Sequence, residues 1–181
     1  MKAEIINQPY SGEFEERIYD VESVWNSQSW TWIKFTEENG NEKVGQFRGF
    51  PKNVKVSKQK NEIVVLTSDC VFRLDALELN IIESEKQADY GNLEVTPNGT
   101  FILSEYSDIY KLENSLSDMQ NIKSPFEMDM IEFKSWNRNI LEFECTEIAN
   151  YERSQIMELN IAEWTIKIKK NDTTTTCIKH S

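Results

Sequence analysis

The chain has 181 residues and carries 20 Lys plus Arg against 31 Asp plus Glu, a formal net charge of −11. That balance excludes nucleic-acid phosphate and anionic membrane surfaces as partners unless a local basic patch opposes the field, and the sequence contains none of any size. With 39% hydrophobic and 11% aromatic residues, the chain is too apolar to be disordered, and its length suits one domain.

The first residues, MKAEIINQPYSGEFEER, lack the apolar core of a secretory leader because Glu4 interrupts it. No apolar run approaches the roughly 18 residues of a membrane span. Three cysteines (Cys70, Cys145 and Cys177) stand without a CxxC pair, which suits reduced thiols and a cytoplasmic location.

In chain order, a short strand is predicted around Ile5–Ile6, followed by a loop at Pro9 and Gly12. A ragged strand is predicted over Arg17–Val24. Trp30–Thr36 is aromatic and β-branched without a breaker, and Val44–Arg48 returns after Asn39-Gly40. Asn-Gly accepts the positive φ of a hairpin turn, so residues 30–48 read as a hairpin. Residues 1–50 form a divergent N-terminal sheet on this reading.

From residue 53 the chain repeats itself. NVKVSKQKNEIVVLTSDCVFRLDALELNIIES, residues 53–84, aligns with NLEVTPNGTFILSEYSDIYKLENSLSDMQNIKS, residues 92–124. Val54 and Leu93 are matched positions 39 residues apart, and Leu93 and Ile131 are 38 apart. A looser third copy spans 130–170. Four short strands are predicted in each unit: 53–57, 62–67, 70–75 and 79–84; then 92–96, 100–105, 107–113 and 119–123. The third unit has Ile131 and Phe133, then Ile140–Cys145, a loop at 146–153, Ile156–Asn160 and Trp164–Ile168. Ile63–Leu66 is apolar on both faces, as a strand covered on both sides must be. Val65, Leu66, Leu74, Leu103, Leu112, Phe143 and Leu159 are the predicted core. No amphipathic helix stands out. The whole of 1–170 reads as a single all-β repeat domain, and 171–181 as a frayed tail.

VFRLDALELNIIES resembles the last hairpin of a β-propeller blade: an apolar strand ends in an acidic residue, a short polar turn follows, and a β-branched strand leaves. IYKLENSLSDMQNIKS is similar, and NVKVSKQKNEIVVLT and NLEVTPNGTFILSE resemble a blade's first hairpin. The Gly-His and Trp-Asp pairs of WD repeats are missing. The resemblance implies successive antiparallel four-stranded meander sheets, either a small closed propeller or an open stack of blades. It implies no particular function.

Chemistry is sparse. His180 is the only histidine, and its place in the tail leaves no base for a Cys–His or Ser–His pair. No phosphate-cradling glycine loop and no zinc spacing occur, so neither cofactor nor metal is expected. Carboxylates cluster at Glu13, Glu15, Glu16, Asp20 and Glu22, again at Glu83, Glu85 and Asp89, and again at Glu127, Asp129 and Glu132. Trp30 and Trp32 share one strand face and are assigned to the core. Trp136, in the polar segment SWNRN, reads as an exposed residue in a turn, and Cys145 as buried and inert.

Two functions fit these features. The first is a non-enzymatic binding module, comparable with immunity proteins in size and charge, that holds a basic protein partner through Glu13, Glu15, Glu16, Asp20, Glu22, Glu127, Asp129 and Glu132, with Trp136 as anchor. The second is a carbohydrate-binding or glycan-acting domain built from Trp and carboxylate residues.

Overall fold

The computed structural model of the protein describes residues 1–22, 27–86 and 89–169. Their strands are β1 (Lys2–Ile6), β2 (Glu15–Tyr19), β3 (Trp30–Thr36), β4 (Glu42–Arg48), β5 (Pro51–Ser57), β6 (Glu62–Thr67), β7 (Cys70–Asp75), β8 (Ile81–Lys86), β9 (Asn92–Val95), β10 (Phe101–Ser104), β11 (Ile109–Leu112), β12 (Gln120–Asn121), β13 (Met128–Asn137), β14 (Ile140–Glu147), β15 (Asn150–Asn160) and β16 (Thr165–Ile168). They make four four-stranded sheets, and the only helical turn among the described residues is a 3-10 turn at Leu116–Asp118.

The three repeat units are three antiparallel meanders, β5–β8, β9–β12 and β13–β16. The first sheet departs from that plan. Its order is β1-β3-β4-β2, and β2 runs parallel to β4. Residues 7–14 therefore carry the chain from one edge of this sheet to the other. The predicted ragged strand ends at Tyr19, and Ser23 and Val24 lie outside the described residues.

The sheets stack in chain order. Ile33, Phe35 and Phe47 of the first pack on Ile63, Val65, Phe72 and Leu74 of the second. Val64, Leu66 and Val71, on the second sheet's other face, meet Leu93, Phe101, Leu103 and Leu112 of the third. Ile102 and Ile109 then meet Leu141, Phe143, Met157 and Leu159 of the fourth. The middle sheets are buried on both faces, which is why Ile63–Leu66 carries no polar residue. All seven predicted core residues are fully or almost fully buried. Among the described residues no buried cluster joins the fourth sheet to the first, so the architecture is an open, propeller-like stack.

The period also appears in polar contacts between sheets. Asn53 Nδ2 donates to the Leu93 carbonyl at 3.2 Å, and Asn92 Nδ2 donates to the Ile131 carbonyl at 2.8 Å. Each asparagine opens its unit and ties it to the next, satisfying a carbonyl that pairing within one sheet leaves open.

In the second to fourth sheets, β5, β9 and β13 all begin at the same end of the stack, here the upper end. The connections entering each unit and the turns between its second and third strands crowd there. Ser68 N donates to the Phe50 carbonyl at 2.9 Å, Gly91 N to the Ser104 carbonyl at 2.7 Å, and Ile148 N to the Glu127 carbonyl at 3.0 Å.

The third unit differs from the predicted elements in two places. The loop expected at 146–153 is a tight turn, because β14 runs to Glu147 and β15 starts at Asn150, with Ala149 at φ 66°. The turn expected around Trp136 lies two residues later, with Arg138 at φ 54°, so Trp136 belongs to β13.

Candidate functional site

The two acidic clusters assigned to partner binding lie on the first and fourth sheets, with two sheets between them. The first follows β2, an edge strand of the first sheet. Glu13 accepts the Tyr10 amide at 3.0 Å and caps a turn. Glu16 accepts Gln46 Nε2 at 2.6 Å. Asp20 pairs with Arg48 at 2.7 Å, and Glu22 with Lys86 at 3.4 Å. Glu15 is exposed. Arg17 sits among them and reaches the Glu78 carbonyl at 3.0 Å. Two of the five carboxylates, Asp20 and Glu22, are thus matched by neighbouring cations.

The second cluster lies at the upper corner where the third and fourth sheets meet. Between Asp129 and Glu132 the pairing of β13 with β14 slips, and Met130 stands at φ 54° inside that bulge. A bulge re-aims a side chain, and a positive φ is unusual for an unbranched, non-glycine residue. Met130 consequently points outward, 60% exposed. Ile131, next in the chain, donates its amide to the Tyr106 carbonyl at 3.1 Å, which holds the 104–109 turn against the bulge. Tyr106 is 71% exposed, and Ile148, in the turn bonded to Glu127, is 44% exposed. Three large apolar side chains therefore stand uncovered in one corner. Glu127, Asp129 and Glu147 adjoin them along β13 and the turn after β14, and Asp108, Glu127 and Lys123 line a groove that reaches Ile148.

Glu105, on the same turn as Tyr106, faces the second sheet, and the Tyr110 hydroxyl of β11 donates to it at 3.4 Å. Burial, followed by the Glu105 and Asp108 carboxylates, raises the pKa of Tyr110. Burial, followed by Glu105, raises that of Glu85 on the neighbouring sheet. The groove, of about 510 Å³, opens between Asp108, Asn121, Lys123, Phe126, Glu127 and Ile148. Glu132 does not line it and pairs with Lys134 at 2.7 Å.

The tryptophans are placed differently from the sequence reading. Trp136 is half-buried against the core of the fourth sheet, and its indole N–H donates to Glu94 Oε2 at 3.2 Å. Glu94 also pairs with Lys55 at 2.7 Å, so Trp136 ends a chain of contacts across three sheets. Trp30 and Trp32 lie on the outer face of the first sheet, opposite Ile33 and Phe35, which supply the core. The Arg48 guanidinium covers the Trp30 ring at 3.9 Å, and Lys111 stands over Trp164 at 4.9 Å. Trp25 lies outside the described residues.

Tyr106, Met130 and Ile148 escape a reading by periodicity. The one sequence signal is the broken alternation at Met128, Met130, Ile131 and Phe133, which marks a bulge. Among the described residues no group of three or more His, Cys, Asp or Glu side chains is arranged to hold a metal ion. Nor is any helix long and apolar enough to cross a membrane.

No protein-family model matches the chain. No curated protein matches it either. Among solved structures it is similar to the N-terminal domain of Nup159, at 13% identity and a TM-score of 0.46, over 68% of this chain and 35% of that one. The chain thus spans about a third of the length of that domain.

Proposed function

We propose that the protein is a non-enzymatic binding module whose partner is a basic protein, held at the corner between the third and fourth sheets. The supporting observation is Met130, turned outward by a bulge, with Tyr106 and Ile148 exposed beside it and the carboxylates of Glu127, Asp129 and Glu147 on the adjoining residues. An apolar centre with a charged rim is the anatomy of a protein interface. The centre supplies affinity by excluding water, and the rim supplies speed and choice of partner. A net charge of −11 exceeds the magnitude of about 2–8 that keeps a small domain soluble, and it draws a cationic partner from a distance. An immunity-type inhibitor that caps a basic toxin would use such a surface. Of the tryptophans that the carbohydrate reading draws on, Trp30 lies under Arg48, Trp164 under Lys111 and Trp136 against the fourth sheet's core, so no specific observation favours that reading.

The test is capture of partners from the source cell, followed by association kinetics across a salt series with the wild type and with Met130→Ser. The expected result is an on-rate that falls steeply up to about 0.5 M salt, where screening shortens to a few ångström, and a faster off-rate for Met130→Ser. An on-rate indifferent to salt, binding unaffected by Met130→Ser, or turnover of a glycan by the purified protein overturns the proposal.

A further inference from the structure

The groove beside this corner has a more specific chemistry than the patch around it. Phe126, Met128 and Ile148 supply its apolar wall, and Asp108 and Glu127 supply carboxylates. Asp108 is fixed in place: Asn121 Nδ2 donates to one of its oxygens at 2.7 Å, and Ser107 Oγ to the other at 3.0 Å. Among the described residues no cation lies within ion-pair distance of either carboxylate, although Lys123 lines the same groove. The volume of about 510 Å³ falls in the range of side-chain and ligand pockets.

From this arrangement we infer that the groove receives an arginine side chain of the partner. The inference rests on the proposed protein-binding role and names the anchor at that site. An arginine has an apolar stem to lie along Phe126 and Ile148, and a planar guanidinium to stack on the Phe126 ring. Its five N–H donors serve two carboxylates at once, which a lysine ammonium, a compact point charge, does less well. Asp108, held by Asn121 and Ser107, is already oriented, so little ordering is lost on binding.

The probe is the tripeptide acetyl-Gly-Arg-Gly-amide, compared with its lysine and citrulline counterparts. The readout is the methyl NMR signals of Met128 and Ile148. The arginine peptide shifts both signals, the lysine peptide binds several-fold more weakly, and the neutral citrulline peptide shifts neither. The double variant Asp108→Asn with Glu127→Gln weakens arginine binding by at least about tenfold, whereas Lys123→Gln strengthens it. Glu127 and Lys123 are exposed, and an unchanged thermal midpoint confirms that the variants fold. An equal response to the citrulline peptide, or equal binding by the double variant, overturns the inference. If a captured basic partner still perturbs Tyr106 and Met130 while the arginine peptide leaves the groove silent, the groove assignment falls and the binding role stands. If that partner perturbs neither place, both fall.

Discussion

Arg73 on β7 and Glu62, its diagonal neighbour on β6, meet in a two-pronged pair, Nε to Oε2 at 2.8 Å and Nη2 to Oε1 at 2.7 Å. Both side chains are largely buried. Arg73 also reaches Glu83 on β8 and the Asn114 carbonyl of the third sheet, so a single guanidinium ties one sheet to the next. The Glu62 bond is the main cause of its raised pKa. Removing the cation leaves the Glu62 and Glu83 carboxylates, on the strands either side of it, without their ion-pair partner. Arg73→Ala is therefore expected to cost about 3–5 kcal/mol in urea unfolding, and Arg73→Met combined with Glu62→Leu should restore most of it. A loss below about 1 kcal/mol for Arg73→Ala would show that the pair does not hold the sheets.

Leu74 and Leu112 occupy matched places in successive units, and both are fully buried. Leu74 packs between the first and second sheets, and Leu112 between the second and third. Each truncation to Ala should cost about 2–5 kcal/mol. Denaturant midpoints measure this directly, and a wild-type midpoint for either variant contradicts the stacked core.

Cys70 and Cys145 are buried, and burial pushes each thiol up to about 11. The thiolate is the reactive form, so neither should be labelled by a thiol reagent at pH 8 while the chain is folded. Mass spectrometry after labelling with and without denaturant checks this. Modification of either in the native protein at the rate of a free thiol would mean that the sheets open readily.

Glu85 gives a pH signature. Burial first, and Glu105 second, raise its pKa in the folded state. In the window above the ordinary carboxyl value the native state then holds more proton than the unfolded one, so this group's contribution to stability falls as pH rises. Glu85→Gln should stabilise the protein at pH 7, by no more than about 1 kcal/mol because the side chain is partly solvated. The gain should shrink as pH is lowered through the raised pKa of Glu85. A gain that stays constant between pH 4 and about pH 8 would place its origin elsewhere.

The predicted acidic residues should differ in their effect on association. Glu132 already pairs with Lys134, whereas Glu127 has no cation within ion-pair distance among the described residues. Neutralising Glu127 and Asp129 together should slow association with the basic partner several-fold and also speed dissociation, because Glu127 grips the partner's arginine, while Glu132→Gln alone should do little. Stopped-flow kinetics at low salt separates the cases, and equal effects from the two sets would remove the special role of the corner.

The amino-acid sequence by itself determined the three repeat sheets and their core. The 39- and 38-residue spacing, the two-faced apolar run Ile63–Leu66 and the alternation of Leu141, Phe143 and Cys145 are local consequences of strands buried on two faces or one. Asn39-Gly40 likewise marked the hairpin of the first sheet, because turn chemistry acts over a few residues. Only the tertiary structure decided the rest. The parallel placing of β2 beside β4 depends on where an eight-residue connection can lead, and no periodicity records that. Trp30 and Trp32 lost the core to Ile33 and Phe35 because alternation defines two faces without saying which one the next sheet covers. Trp136 left its expected place in solvent because Glu94, 42 residues earlier, accepts its N–H. Met130 became the centre of the corner through one residue of slippage against β14, a choice made by the partner strand and the Tyr106 turn rather than by the residues around Met130.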